Sequence, residues 1–174
     1  MSGPAQQPAW PDDVYGALRR RDTTQFCFVP DSGHRRLIER AVADPEVHAV
    51  PLTCEEEGVG VLAGAHLGLA RGVLLMQSSG VGNCINFLSL IQHCRIPFLA
   101  LVTMRGEFGE QNPWQYPMGQ AVQPTLRAMG VITLRCDDVD DVLPTVEAAI
   151  GMVDRGGRAV AVLLGQRLIG AKKF

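Results

Sequence analysis

No stretch of this chain is long and apolar enough to read as a membrane span, and no early segment joins basic residues to an apolar run and a small-residue cleavage site. Membrane insertion and secretion therefore have no support in the sequence. A basic excess is missing too: 16 Lys and Arg against 18 Asp and Glu give a formal charge of -2, too little positive charge to track a nucleic-acid backbone or an acidic lipid surface. The five cysteines, Cys27, Cys54, Cys84, Cys94 and Cys136, are odd in number, scattered and never spaced as C-x-x-C, which fits reduced thiols in cytoplasm. His34, His48, His66 and His93 lack metal-ligand spacing, so this chain alone is expected to hold no metal. Gly-x-Ser-x-Gly is absent, which removes the nucleophile elbow of acyl transfer.

What remains is an ordinary globular composition. The 174 residues, 47% of them apolar, suit one core, expected over residues 10–170 behind a flexible leader at residues 1–9. Short continuous apolar runs alternate with stretches of helical spacing, the pattern of buried parallel strands and their covering helices. The spacing predicts strands at residues 26–30, 48–52, 72–77, 97–103, 131–135 and 158–164. Helices are predicted at 12–21, 34–43, 55–71, 83–93, 120–129 and 139–155, with a long loop over 105–119. The expected class is α/β: a doubly wound, mostly parallel six-stranded sheet with helices on both faces and ligands at the carboxyl ends of strands.

Four segments at such ends carry candidate chemistry. Thr53-Cys54-Glu55-Glu56-Glu57 leads into a helix rich in small residues, Gly58, Gly60, Ala63, Gly64, Ala65 and Gly68. Thr53 with Glu56 reads as a capping box, and acids in a first turn suit the helix dipole. The small residues need something packed very close, since Gly costs roughly 1 kcal/mol against Ala inside a helix. Met76 to Asn83 is a strand end passing through a Gly-x-Gly turn, but Ile85 stands where a dinucleotide fingerprint needs a third Gly, and no P-loop Lys follows. Met104 to Gln115 places Arg105 just past an apolar strand, suited either to bidentate binding of an anion or to a salt bridge with Glu107 or Glu110. In Pro30-Asp31-Ser32-Gly33-His34, Asp31 or Ser32 is placed to cap the next helix.

In this order, these segments resemble the pyrimidine-binding domain of thiamine-diphosphate enzymes, most of all the sulfopyruvate and phosphonopyruvate decarboxylases split into α and β subunits. The residues that carry the resemblance are Val29 to Ser32, Glu55 to His66, Met76 to Asn83 with Asn86, and Met104 to Glu107, which together span nearly the whole chain. In that superfamily an acid opens the helix with a Gly nine residues later, so Gly64 selects Glu55, although Leu62 replaces the usual Ala. Such a carboxyl group donates to N1′ of the aminopyrimidine and favours the imino form that takes the proton from the thiazolium C2. The resemblance implies Glu55 as the catalytic residue, with Pro30, Gly80, Val81, Gly82 and Asn86 around the cofactor. It implies Ser32, Gln77, Ser79, Asn83, Arg105 and Gln115 around a 2-oxo acid carrying a second anionic group. Met104-Arg105 and Trp114-Gln115, in place of the Trp-Arg and Gln-His of phosphonopyruvate relatives, look more like the sulfopyruvate branch.

The Gly-Asp-Gly that holds diphosphate and Mg2+ in this superfamily does not occur in the chain. The resemblance therefore implies a separate β subunit that binds diphosphate and Mg2+, in an α2β2 assembly or a multiple of it. Two other activities fit the same residues: a carboligase of acetolactate-synthase type, and a non-catalytic module in which the Glu cluster only caps a helix.

Overall fold

A computed structural model of the chain describes residues 10–171; the expected leader at residues 1–9 lies outside them. The described residues form a six-stranded, wholly parallel sheet in the order β2-β1-β3-β4-β6-β5. The strands are β1 (Thr23–Phe28), β2 (His48–Pro51), β3 (Arg71–Gln77), β4 (Phe98–Thr103), β5 (Ile132–Cys136) and β6 (Ala159–Leu164). Around them lie α1 (Trp10–Arg19), α2 (Arg35–Ala43), α3 (Glu55–Leu67), α4 (Ser78–Cys84), α5 (Leu88–Cys94), α6 (Tyr116–Ala128), α7 (Val139–Gly156) and a short α8 (Gln166–Ile169).

The period-2 alternation of strand side chains divides the core into two faces. Leu74 and Met76 of β3, with Ala100 and Val102 of β4, pack against α3, α4, α5 and α6 through Val59, Leu62, Val81, Leu88 and Leu126. Their neighbours Val73, Leu75, Leu99 and Leu101 pack on the other face against α1, α2 and α7 through Val14, Leu18, Leu37, Val142 and Val146. The central strands β4 and β6 are buried along their whole length, so they read as unbroken apolar runs.

Strand order reverses between β1 and β3, because β2 extends the sheet on one side and β3 on the other. A crevice at the carboxyl ends of those strands is the expected ligand position in such sheets. Val29 to Gly33 and Gln77 to Gly80 leave the sheet there.

Three local expectations are corrected. Residues 78–94 form two helices, with a break at 85–87, and α4 starts directly at Ser78 without an intervening Gly turn. The stretch 105–119 is not a structureless loop, because Pro113–Gln115 makes a 3-10 turn and α6 begins at Tyr116. The box ahead of α3 closes on Glu57: its carboxylate accepts from Thr53 N at 3.0 Å and Thr53 Oγ1 at 2.6 Å, and Cys54 is the N-cap. That bond uses Glu57, leaves Glu56 exposed, and allows Glu55 to turn inward.

Candidate active site

Glu55 is 7% exposed at the opening of α3, which is unusual for a carboxyl group. Its Oε2 accepts from Asn83 Nδ2 of α4 at 2.8 Å, while Oε1 makes no hydrogen bond among the described residues. The carboxyl group packs against Gly80, so close that a Cβ on Gly80 would run into Glu55 Cδ and Oε1. Glu55, Gly80 and Asn83 thus form one unit. The small residues of α3 are partly explained within the chain: Gly58 admits the side chains of Leu74 and Leu52, and Gly60 admits the Phe87 ring. Gly64 faces open space.

The ends of β1, β3 and β4 are tied together by Asp31. Its carboxylate accepts from Gly33 N at 3.0 Å, from Gln77 Nε2 at 3.1 Å and from Thr103 Oγ1 at 2.7 Å. Gln77 Oε1 in turn accepts from Ser79 Oγ at 3.0 Å. Burial alone would raise the Asp31 carboxyl, but the Thr103 hydroxyl, His34, Gln77 and the Gly33 N–H outweigh it and hold the group below the usual carboxylate range. Asp31 therefore fixes the orientation of Gln77, and through it Ser79. Sequence reasoning gave Asp31 a local capping role, which it has, and missed its partners on β3 and β4.

Beneath this cluster, His34 is 1% exposed, and its Nε2 lies 3.0 Å from Leu101 O and 3.3 Å from Met76 O. Nδ1 has no partner among the described residues. Burial holds the imidazole neutral and depresses its pKa, against the opposing pull of Asp31 and the two carbonyls. An unfolded His34 takes up a proton near pH 6.5, while the folded one resists. The stability due to this group is thus full above about pH 6.5 and is lost as pH falls below it. Thermal unfolding followed from pH 7.5 to 5.5 should show a falling Tm, with a flatter slope in His34→Gln. Equal slopes would remove His34 as the cause.

Arg105 leaves β4 with its backbone N–H on Ser78 Oγ at 3.0 Å, which joins it to the start of α4. Nε and one N–H of Nη2 bind Glu110 at 2.8 and 3.1 Å, which leaves the Nη1 N–H groups and the second N–H of Nη2 without a partner among the described residues. Of the two salt-bridge partners open in the sequence, Glu110 is the one used. Glu107 instead takes Arg135 bidentately at 2.7 and 2.8 Å. Arg105 still lines a cavity of about 250 Å³ together with Asp31, Ser32, Gly33 and Ile169. Gly106, at φ +72, lets the chain turn where the Gln115 carbonyl crosses it.

The remaining predicted residues divide. Pro30 and Ser32 are exposed beside Asp31, Asn86 is exposed between α4 and α5, and Gly82 is half-buried against Met118. The Val81 side chain is wholly buried in the core beneath the start of α4. Gln115 belongs to the 3-10 turn, and its Oε1 is buried without a partner among the described residues. Among the described residues no helix is long and apolar enough to cross a membrane.

No family model matches the chain. It is 36% identical over 152 residues to the sulfopyruvate decarboxylase subunit alpha of Methanothermobacter thermautotrophicus, covering 87% of this chain and 92% of that one. Against the subunit of the same name from Methanocaldococcus jannaschii it is 31% identical over 151 residues, covering 86% and 89%. A phosphonopyruvate decarboxylase from Streptomyces viridochromogenes is 34% identical over 139 residues, 79% of this chain but 35% of that protein. Among solved structures, a 2-oxoglutarate:ferredoxin oxidoreductase from Magnetococcus marinus superposes with a TM-score of 0.73 at 15% identity, over 92% of this chain and 29% of that one. The thiamine diphosphate-dependent 4-hydroxybenzoylformate decarboxylase of Rhodococcus jostii RHA1 gives 0.70 at 14% identity, over 94% and 32%. Near-complete coverage of both alpha subunits, on a fold shared with much larger enzymes, places this chain in the sulfopyruvate decarboxylase alpha-subunit family.

Proposed function

We propose that this decarboxylase subunit, as a single pyrimidine-binding domain over residues 10–170, contributes Glu55 to thiamine diphosphate shared with a separate β subunit, and acts on sulfopyruvate. The observation that carries the reading is the Glu55 carboxyl group: buried, held on one oxygen by Asn83, unpartnered on the other among the described residues, and lying against a residue with no side chain. That donor set fits an aminopyrimidine, which needs one carboxyl oxygen at a ring nitrogen and no bulk beside it.

When bound, thiamine diphosphate supplies the thiazolium carbon that attacks the 2-oxo group and the ring that accepts electrons as carbon dioxide leaves. Glu55 holds the proton at the ring nitrogen. Asn83 fixes the plane of the carboxyl group through Oε2, which leaves Oε1 to face the ring. Gly80 keeps the approach open. Gln77 and Ser79, locked by Asp31, present an amide and a hydroxyl to the 2-oxo acid. Ser32 and the unbonded part of the Arg105 guanidinium present donors to its second anionic group. The Glu110 pair offsets much of the Arg105 charge, so this subsite relies on placed hydrogen bonds more than on net attraction.

Diphosphate and Mg2+ are assigned to the β subunit, in an α2β2 assembly or a multiple of it. The name borne by the family and the match to about a third of the single-chain phosphonopyruvate decarboxylase support this division. Val61 and Leu67 stand exposed on α3 three residues to either side of the open Gly64, and Leu69 is exposed just past the helix end, which supports a packed partner there. The free thiols support a reducing, cytoplasmic setting. Decarboxylase relatives matching 86 and 87% of the chain favour this reading over carboligation.

The test is reconstitution. Chain, β subunit, thiamine diphosphate and Mg2+ together should release carbon dioxide from sulfopyruvate faster than from phosphonopyruvate, and either subunit alone should release none. A longer 2-hydroxy keto product in place of the aldehyde, formed along with the carbon dioxide when an acceptor aldehyde or keto acid is supplied, would overturn the reading.

A further inference from the structure

Glu110 entered the sequence reading only as one of two possible salt-bridge partners of Arg105, yet it is the most heavily hydrogen-bonded carboxylate among the described residues. Its side chain is 0% exposed and that of Arg105 is 6% exposed. Oε2 accepts from Arg105 Nε at 2.8 Å, Gln166 Nε2 at 2.9 Å and Gly106 N at 3.2 Å. Oε1 accepts from Gln111 N and Asn112 N at 3.0 Å each and from Arg105 Nη2 at 3.1 Å. The backbone takes part as well, since Tyr116 Oη donates to Glu110 O at 2.6 Å. The Arg105 bonds above all hold the carboxyl well below the usual carboxylate range, so Glu110 stays ionised wherever the fold persists.

We infer that Glu110 is the positioning residue of the substrate pocket: it aims the Arg105 guanidinium at the second anionic group of the 2-oxo acid. This rests on the role proposed for Arg105. A guanidinium on a three-carbon stem samples many orientations, and ordering it on binding costs affinity. Here that ordering is complete beforehand. With Nε and one N–H of Nη2 taken by Glu110, what remains is Nη1 and the second N–H of Nη2, which make no hydrogen bond among the described residues, and Arg105 lines the cavity that Ser32 and Asp31 also line. A carboxylate serving only to tie the loop needs its backbone donors alone; the bidentate grip on Arg105 adds a fixed direction for the cation. The Asp31 carboxylate in the same cavity raises the need for that direction, because it repels an oxyanion that enters at the wrong angle.

The measurement is kcat/KM for sulfopyruvate and for pyruvate, which lacks the second anion, in the reconstituted complex. Glu110→Gln should lower the ratio of the two at least tenfold, chiefly through KM for sulfopyruvate, and Glu110→Asp should fall between it and the native complex. Arg105→Gln should lower the same ratio, and adding Glu110→Gln to it should lower the ratio no further, because a residue acting through Arg105 has nothing left to aim. Equal losses on both substrates in Glu110→Gln, or a full further loss in the double variant, would overturn the inference. Should Glu110→Gln fail to assemble, Glu110→Asp carries the same comparison. A native complex that shows no preference for sulfopyruvate over pyruvate defeats the substrate reading. A native preference that survives Arg105→Gln but drops in Glu110→Gln defeats the positioning inference, leaving the decarboxylase assignment intact.

Discussion

Replacing Glu55 by Gln should reduce carbon dioxide release from sulfopyruvate by at least about a hundredfold, the range that loss of a placed acid or base occupies. Gln retains the shape and one acceptor, so Asn83 can still donate to its side-chain oxygen and the packing on Gly80 survives. What Gln removes is the exchangeable acid proton. The neighbours cannot substitute: Glu57 is held by Thr53, and Glu56 is exposed on the outer side of the helix. The loss should fall on kcat, with little change in the affinity of the two subunits for each other. Near-native turnover in Glu55→Gln would end the assignment.

The second large effect separates function from folding. Gly80→Ala places a methyl group where the Glu55 carboxyl now lies. Its nearest contacts are Cγ, Cδ and Oε1 of a flexible side chain, so the fold can yield by moving Glu55 aside. Ala is also the better helix former by roughly 1 kcal/mol. Thermal stability should therefore change little or rise, whereas turnover should fall by about a hundredfold, since a displacement on the order of 1 Å of a catalytic group is that costly. A strongly lowered Tm with activity lost in proportion would mean that Gly80 serves the core and not the carboxyl group.

The architecture was legible in the sequence for a physical reason. Strands such as Phe98–Thr103 and Ala159–Leu164 are buried on both faces and so are apolar throughout, and the helices between them carry one apolar side. All six strands and five of the six helices expected from periodicity are present with ends displaced by a few residues, while the helix expected at 83–93 is broken at 85–87. Strand order was not legible, because nothing in the composition of β5 and β6 says which of them lies beside β4. The break between α4 and α5 was missed since Gly80 and Gly82 look like turn residues, when they are small for the sake of Glu55 and Met118. Glu55 was singled out through the spacing to Gly64 that the family resemblance supplied, although a Cβ at Gly64 would meet nothing. Asp31 and Glu110 were not. Asp31 reaches partners 46 and 72 positions away, and a cap explains it locally. Glu110 could be read only as one of two possible partners for Arg105, and the choice depends on Gln166 arriving from the end of β6.

The central claim is that Glu55 activates the cofactor at its thiazolium C2. Exchange of the C2 hydrogen for deuterium, followed by quenched-flow and NMR on thiamine diphosphate bound to the assembled complex, measures that step without turnover. The native complex should exchange C2–H orders of magnitude faster than free thiamine diphosphate, and the Glu55→Gln complex should fall back close to the free rate while still binding the cofactor. Equally fast exchange in both complexes would contradict the account.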